Sequence, residues 1–233
     1  MNRNARTTRR GLVSAAAGAF FVIATGVGNG LANAGATGDP LVDARRVVTV
    51  VDGVGVALEV LGFVAFAFFA AWLVAYLRRS ELGGGSLAGT AGIAAAVTLA
   101  IKLGSAAPVI AAHQRAGVLT ADLARTLEDL NGGAFVISGL TFAVFVLAAA
   151  ASAVSGGSLP SWLGWFGVVV GVAGLVTPII GIIDPADYIP VPFMLGVQWT
   201  LVVSVLLTIR VARAARIDAA AVPTSHVTPV GGP

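Results

Sequence analysis

The chain contains no cysteine, which excludes a disulfide framework, a thiolate nucleophile and any cysteine-based metal site. Histidine is nearly as scarce: His113 and His226 are the only two, too few for a multi-histidine metal centre or a haem ligand set, and no cofactor is expected. Asp, Glu, Lys and Arg together make up 11% of the residues, against about a quarter in an ordinary soluble domain. Lys102 is the single lysine. Enzyme motifs are missing too. There is no Gly-x-Ser-x-Gly elbow, no His-Glu-x-x-His and no Walker loop. The run Gly26-Val27-Gly28-Asn29-Gly30 lacks the third glycine's position and the strand context of a dinucleotide fold. Ser105 and Ser138 are candidate nucleophiles for an intramembrane hydrolase, but nothing in the sequence pairs either with a base.

What the chain does have is apolar length. Hydrophobic residues make up 57% of its 233. Residues 130–183 form 54 consecutive positions without an acid or a base, interrupted by a Ser-Gly-Gly-Ser-Leu-Pro-Ser break at 155–161. Each half is about 20 residues, enough to cross roughly 30 Å of hydrocarbon at 1.5 Å per residue. The pattern repeats along the chain and predicts six spans, at about 11–33, 53–77, 87–112, 134–154, 162–183 and 193–209. The segments are continuously apolar rather than alternating, so they read as helices and not as barrel strands. The expected fold is all-α: a polytopic membrane bundle of six helices in the lipid bilayer.

Arginine placement predicts orientation. With the N-terminus inside, Arg3, Arg6, Arg9, Arg10, Arg78, Arg79, Arg210, Arg213 and Arg216 are cytoplasmic, and Arg45, Arg46, Arg115 and Arg125 are external. Both termini are therefore expected in the cytoplasm, with residues 1–10 a basic segment and 213–233 a disordered tail. The net charge of +3 is distributed beside the spans rather than along one stripe, so the basic residues read as topology signals and no nucleic-acid partner is expected. Heavy use of Ala, Gly, Val and Arg suggests a bacterial genome of high G+C content. A second reading of the first span stays open: Arg9-Arg10, the apolar stretch that follows and Ala32-Asn33-Ala34 have the layout of a cleaved signal peptide, even a twin-arginine one. Loss of residues 1–34 would leave five spans.

Between the third and fourth spans, Leu119, Leu123, Leu127 and Leu130 share one helical face over residues 118–130, with Thr120 as N-cap. This predicts an outer amphipathic helix lying flat as a lid over the bundle or in the head groups. Within the spans, Glu59 and Lys102 are the ionisable residues. Glu59 lies about 9 Å below the outer start of its helix and Lys102 about 15 Å below the outer end of its own. Lysine is long enough to bring the two heads to similar depth. An unpaired Lys at a helix centre costs about 2.5–3.5 kcal/mol on insertion scales, which argues against a lipid-facing position. The pair reads as a proton relay or a site for a charged solute, or as a fixed ion pair. A further alternative is Lys102 snorkelling beside a neutral Glu59. Asn29, Asn33, Gln198, His113, Asp184 and Asp187 fall in the outer halves or at the outer ends of their spans, so a polar cavity opening outward is geometrically possible.

Small residues four apart, Gly26 with Gly30 and Gly167 with Gly171, are expected at helix–helix contacts. Pro108 and Pro178 are expected to kink the third and fifth spans, each freeing a carbonyl.

Three stretches carry a family likeness: Leu58-Glu59-Val60-Leu61, the Leu-Asn-Gly-Gly at residues 130–133, and Leu159-Pro160-Ser161-Trp162-Leu163-Gly164-Trp165 opening a glycine-rich fifth span. Together they resemble a family of small six-span bacterial integral membrane proteins classed as a domain of unknown function. The likeness extends over roughly residues 10–212. It implies six retained spans in the plasma membrane and no known activity or cofactor. The chain departs from that family in the third span, where relatives tend to carry an acidic or Arg-containing patch and this sequence has Lys102. The leading expectation is a non-enzymatic structural or accessory membrane component, with a membrane-protein partner or a homo-oligomer as its associate. The alternative is a small proton-coupled permease using Glu59 and Lys102.

Overall fold

A backbone in hydrocarbon finds no water to bond, so a continuous apolar segment must satisfy its own N–H and C=O groups within a helix. The computed structural model describes residues 3–82, 84–183 and 188–220 and, among these, contains helices and no strands. Residues 213–220, expected to begin a disordered tail, instead continue the last helix, which runs Val191–Ala220; the rest of that tail, with His226, and the acids Asp184 and Asp187 lie outside the described residues. The elements are α1 (Arg3–Ala32), α2 (Pro40–Arg45), α3 (Val50–Leu77), α4 (Ser86–Gly104), α5 (Ala106–Gln114), α6 (Ala121–Gly156), α7 (Ser161–Ile183) and α8 (Val191–Ala220). Six stretches are long and apolar enough to cross a membrane: Gly11–Ala32, Val50–Leu77, Ser86–Gln114, Ala121–Gly156, Ser161–Ile183 and Val191–Ile217. The protein is a multi-pass membrane protein of six spans.

The spans neighbour one another in chain order, each antiparallel to the last, and α8 closes the ring against α1. Both ends of the described chain therefore lie on one side of the bundle, the terminal side; α2 and the α5–α6 connection lie on the distal side. α6 also leans inward against α3 and α8. The large buried side chains concentrate toward the terminal half: Phe66, Phe69, Leu73 and Leu77 of α3, Phe145 and Val146 of α6, Leu163 of α7, and Trp199, Val203 and Leu207 of α8. Phe66 anchors the middle of this core, 4.7 Å from the Phe21 ring and edge-on to Phe145 at 5.2 Å. Toward the distal half the buried positions are instead mostly glycine and proline, at Gly55, Gly62, Gly139, Gly174, Pro178, Gly181 and Gly196. The bundle is thus packed by large rings on one side and by close backbones on the other.

Buried hydroxyls join neighbouring helices. Ser204 of α8 accepts from the Ala19 N–H at 2.8 Å and donates to the Ala15 carbonyl of α1. Thr98 of α4 donates to Thr141 of α6 at 2.8 Å. Interhelical bonds of this kind contribute about 0.6 kcal/mol on average in a membrane.

Several expectations change. The amphipathic segment at 118–130 is not a separate flat helix: α6 runs unbroken from Ala121 to Gly156, 36 residues, or about 54 Å. Thr120 does cap it, accepting from the Leu123 N–H, but Asn131, Gly132 and Gly133 continue the helix instead of ending it. Each glycine costs about 1 kcal/mol relative to Ala. Against that, Leu119 and Ala124 are buried with Ala44 of α2 and Ala112 of α5, while Leu127 packs alongside. Leu123 and Leu130 stay exposed.

Gly26 and Gly30 are exposed, and a methyl group at either would meet nothing within 4 Å. The α1–α3 contact is made instead by Gly28, whose added Cβ would lie 2.6 Å from the Gly55 carbonyl oxygen, and by Gly55, whose own would lie 2.5 Å from the Ala32 nitrogen. Two residues are about 200° of helical rotation, so a face that carries Gly28 turns Gly26 and Gly30 away. Gly167 and Gly171 do pack closely, against Trp199 and Ala150 and against Leu147. The third span is interrupted at Ser105, three residues before Pro108, and its distal part continues as α5. Pro178, by contrast, sits fully buried inside an uninterrupted α7.

Candidate functional site

The two intramembrane charges lie where the large-residue core gives way to the distal half. Glu59 is on α3, its backbone nitrogen 2.7 Å from where a Cβ on Gly28 would lie, so α1 runs directly against it. Lys102 occupies the last turn of α4, before the Ser105 break. Both side chains are half-buried. The Lys102 ammonium sits 4.3 Å from the centroid of the Phe135 ring on α6, a cation–π contact of about 0.5–2 kcal/mol depending on how dry it is. Glu59 is the charge that acts on Lys102, and Lys102 the charge that acts on Glu59. They do not form a direct bridge. Among the described residues the ion pair within 4.0 Å is Arg46–Asp52.

The other predicted polar residues are not gathered around this pair. Asn29 is exposed on α1, and Asn33, also exposed, donates its side-chain amide back to the Asn29 carbonyl at 2.9 Å. Gln198 is exposed on α8, whose neighbours in the ring are α7 and α1. His113 belongs to the distal platform, its Nδ1 at 3.2 Å from the Ala44 carbonyl. A cavity of about 10 Å³ lies between α6, α7 and α8, and an open depression is formed by Gln114, Arg115, Gly117 and Val118. Neither is lined by Glu59 or Lys102. Among the described residues no cluster of three metal-ligating side chains occurs.

Polar groups that sequence reasoning passed over act at the two ends. On the distal side Arg46 reaches both Asp52 oxygens, at 3.1 and 3.2 Å, and Asp52 closes a capping box with Thr49 at the start of α3. Arg45 donates to the carbonyls of Ala116 and Leu119, tying α2 to the α5–α6 connection. The backbone N–H and hydroxyl of Thr37 hold the Asp43 carboxyl below its usual range.

On the terminal side Glu81 accepts from the N–H groups of Leu87 and Ala88, both at 2.9 Å, and from the buried Ser152 hydroxyl of α6 at 2.8 Å. Partial burial pushes the Glu81 carboxyl up. The donations from Ala88, Leu87 and Ser152 and the nearby Arg78 outweigh it, and the net direction is down. Arg210 of α8 donates to the Ser158 carbonyl at 2.6 Å, bridging to the α6–α7 turn. A signal for Glu81 was present: α4 starts after Gly85, which has no side chain to cap it, so the orphan N–H groups of its first turn need a partner from elsewhere.

The arrangement thus offers one half-buried pair of opposite charges without a lined cavity, and two polar girdles that fix helix ends. Comparison of the chain with protein-family models, with curated proteins and with solved structures found no match in any of the three.

Proposed function

We propose that the protein is a non-enzymatic accessory component of the bacterial plasma membrane, with both termini cytoplasmic, that works by binding another membrane component rather than by conducting a solute. The observation that carries this reading is the core. Rings and aliphatic side chains from α1, α3, α4, α6, α7 and α8 fill the terminal half of the bundle as one contiguous cluster, an arrangement suited to a rigid scaffold. The polar groups fit the same role, since Ser204, Thr98, Glu81 and Arg210 each bond across to another helix or connection. The arginine bias supports the orientation. The likeness of residues 159–165 to six-span bacterial proteins of unknown function supports the plasma-membrane assignment.

A second reading, a proton-coupled permease, is favoured by Glu59 and Lys102, two opposite intramembrane charges without a bridge to lock them. Reconstitution into liposomes separates the two. With a pH dye inside and a panel of amino acids and organic cations outside, the accessory reading expects proton entry equal to that of protein-free vesicles. Solute-driven proton entry that disappears in a Glu59→Gln variant would establish the permease instead.

A further inference from the structure

The cavity between α6, α7 and α8 is small, but polar groups surround it in a way that packing alone does not explain. The Tyr188 Oη is buried and has no hydrogen-bond partner among the described residues. Tyr188 lines the cavity together with Thr177, Pro178 and Gly174. Proline has no N–H, so Pro178 leaves the Gly174 carbonyl, four residues earlier, without its helical donor. The residue whose carbonyl loses its helical donor and the unpartnered phenol thus line the same space.

Three glycines make that space. Gly139, Gly174 and Gly196 contribute no side chain to its walls, and a Cβ on Gly139 would come within 3.2 Å of the Tyr188 Oη. The volume of about 10 Å³ is close to the roughly 10–15 Å³ of centre-accessible space that a single water requires. An apolar cavity of this size stays dry, whereas a site with two to four polar partners retains water. A phenol and a carbonyl left unmet away from water each carry a desolvation penalty that a bridging water would relieve.

We propose that this cavity is a binding site for one water molecule, which bridges the Tyr188 hydroxyl to the Gly174 carbonyl and so hydrates the Pro178 position of α7. The water replaces the helical hydrogen bond that Pro178 removes and anchors the chain leading into α8 against α6 and α7. Burial pushes the Tyr188 phenol up, which keeps its O–H available as a donor. The proposal stands independently of the accessory role.

A crystal structure from a lipidic mesophase, at a resolution that shows ordered water, tests it. The expected result is one water within about 2.7–3.2 Å of both the Tyr188 Oη and the Gly174 oxygen, absent from the same site in Tyr188→Phe. An empty cavity in the wild-type protein, a protein group bonded to the Tyr188 Oη in its place, or a water retained unchanged in Tyr188→Phe would overturn it. Should Tyr188→Phe fail to fold, Gly139→Ala serves. Its methyl group encroaches on the Oη and is expected to displace the water, while an unaltered water there would count against the site.

Discussion

Glycine substitutions inside and outside the α1–α3 contact should behave oppositely. In Gly55→Ala the new methyl carbon would lie 2.5 Å from the Ala32 nitrogen and 2.7 Å from the Gly28 oxygen. Both are backbone atoms that no rotamer change can move. Restoring ordinary contact requires α1 and α3 to separate by a little under 1 Å, and a gap of about 0.5–1 Å forfeits a quarter to a half of the dispersion energy of the atoms concerned. Overpacking of this kind costs about 1–3 kcal/mol. The higher helix propensity of Ala returns about 1 kcal/mol, leaving a net loss of up to roughly 2 kcal/mol. Gly26→Ala and Gly30→Ala gain the same propensity and meet nothing within 4 Å, so they should be neutral or stabilising. Thermal unfolding of the detergent-purified variants, followed by tryptophan fluorescence, reads the difference directly. A loss in Gly26→Ala or Gly30→Ala equal to that in Gly55→Ala would refute the assignment of faces.

Two further outcomes follow from the charges. The Glu81 carboxyl is held below its usual range in the folded protein, so its contribution is present above the unfolded-state value near 4.5 and is lost as pH falls through the folded-state value. The melting temperature of the wild-type protein should drop more steeply below about pH 4.5 than that of Glu81→Gln, and parallel curves would contradict the capping role. For the intramembrane pair, a thermodynamic cycle with Glu59→Gln, Lys102→Met and the double variant should give a coupling below about 1 kcal/mol, as suits charges without direct contact. A coupling near the 3–5 kcal/mol associated with breaking a buried bridge would mean that the two heads close onto each other.

The number and position of the spans were legible because an uncharged run of about 20 residues has one physical meaning in a membrane. The phase of each helix was not. In a span apolar all round, nothing in the residue types distinguishes the side facing lipid from the side facing a neighbour, so Gly26 and Gly30 read like packing residues although Gly28 does the work. On α7 the phase was legible: Gly164, Gly167, Gly171, Gly174, Pro178 and Gly181 recur at alternating steps of three and four, the spacing of one helical face, and all are buried. The continuity of α6 through Gly132 and Gly133 depended on contacts from α2, a six-residue helix that no apolar periodicity announced. Its start is marked only by Asp39, whose carboxylate accepts from the N–H groups of Leu41 and Val42, and by Pro40. Glu59 and Lys102 act on each other as charges but form no direct bridge. Their partners were not visible, because Phe135 is more than 30 residues away in sequence and Asn29 and Gln198 turn outward.

The most direct test of the proposed topology exploits the absence of native cysteine, which gives single-cysteine variants no background. Cysteines at the exposed positions Ala36 and Val118 report the distal side, and those at Leu82 and Ser161 the terminal side. Labelled on intact bacteria with a membrane-impermeant maleimide, Ala36→Cys and Val118→Cys should react at once. Leu82→Cys and Ser161→Cys should react only after the membrane is permeabilised. Labelling of all four from outside would contradict the six-span membrane topology, and the reverse pattern would contradict cytoplasmic termini.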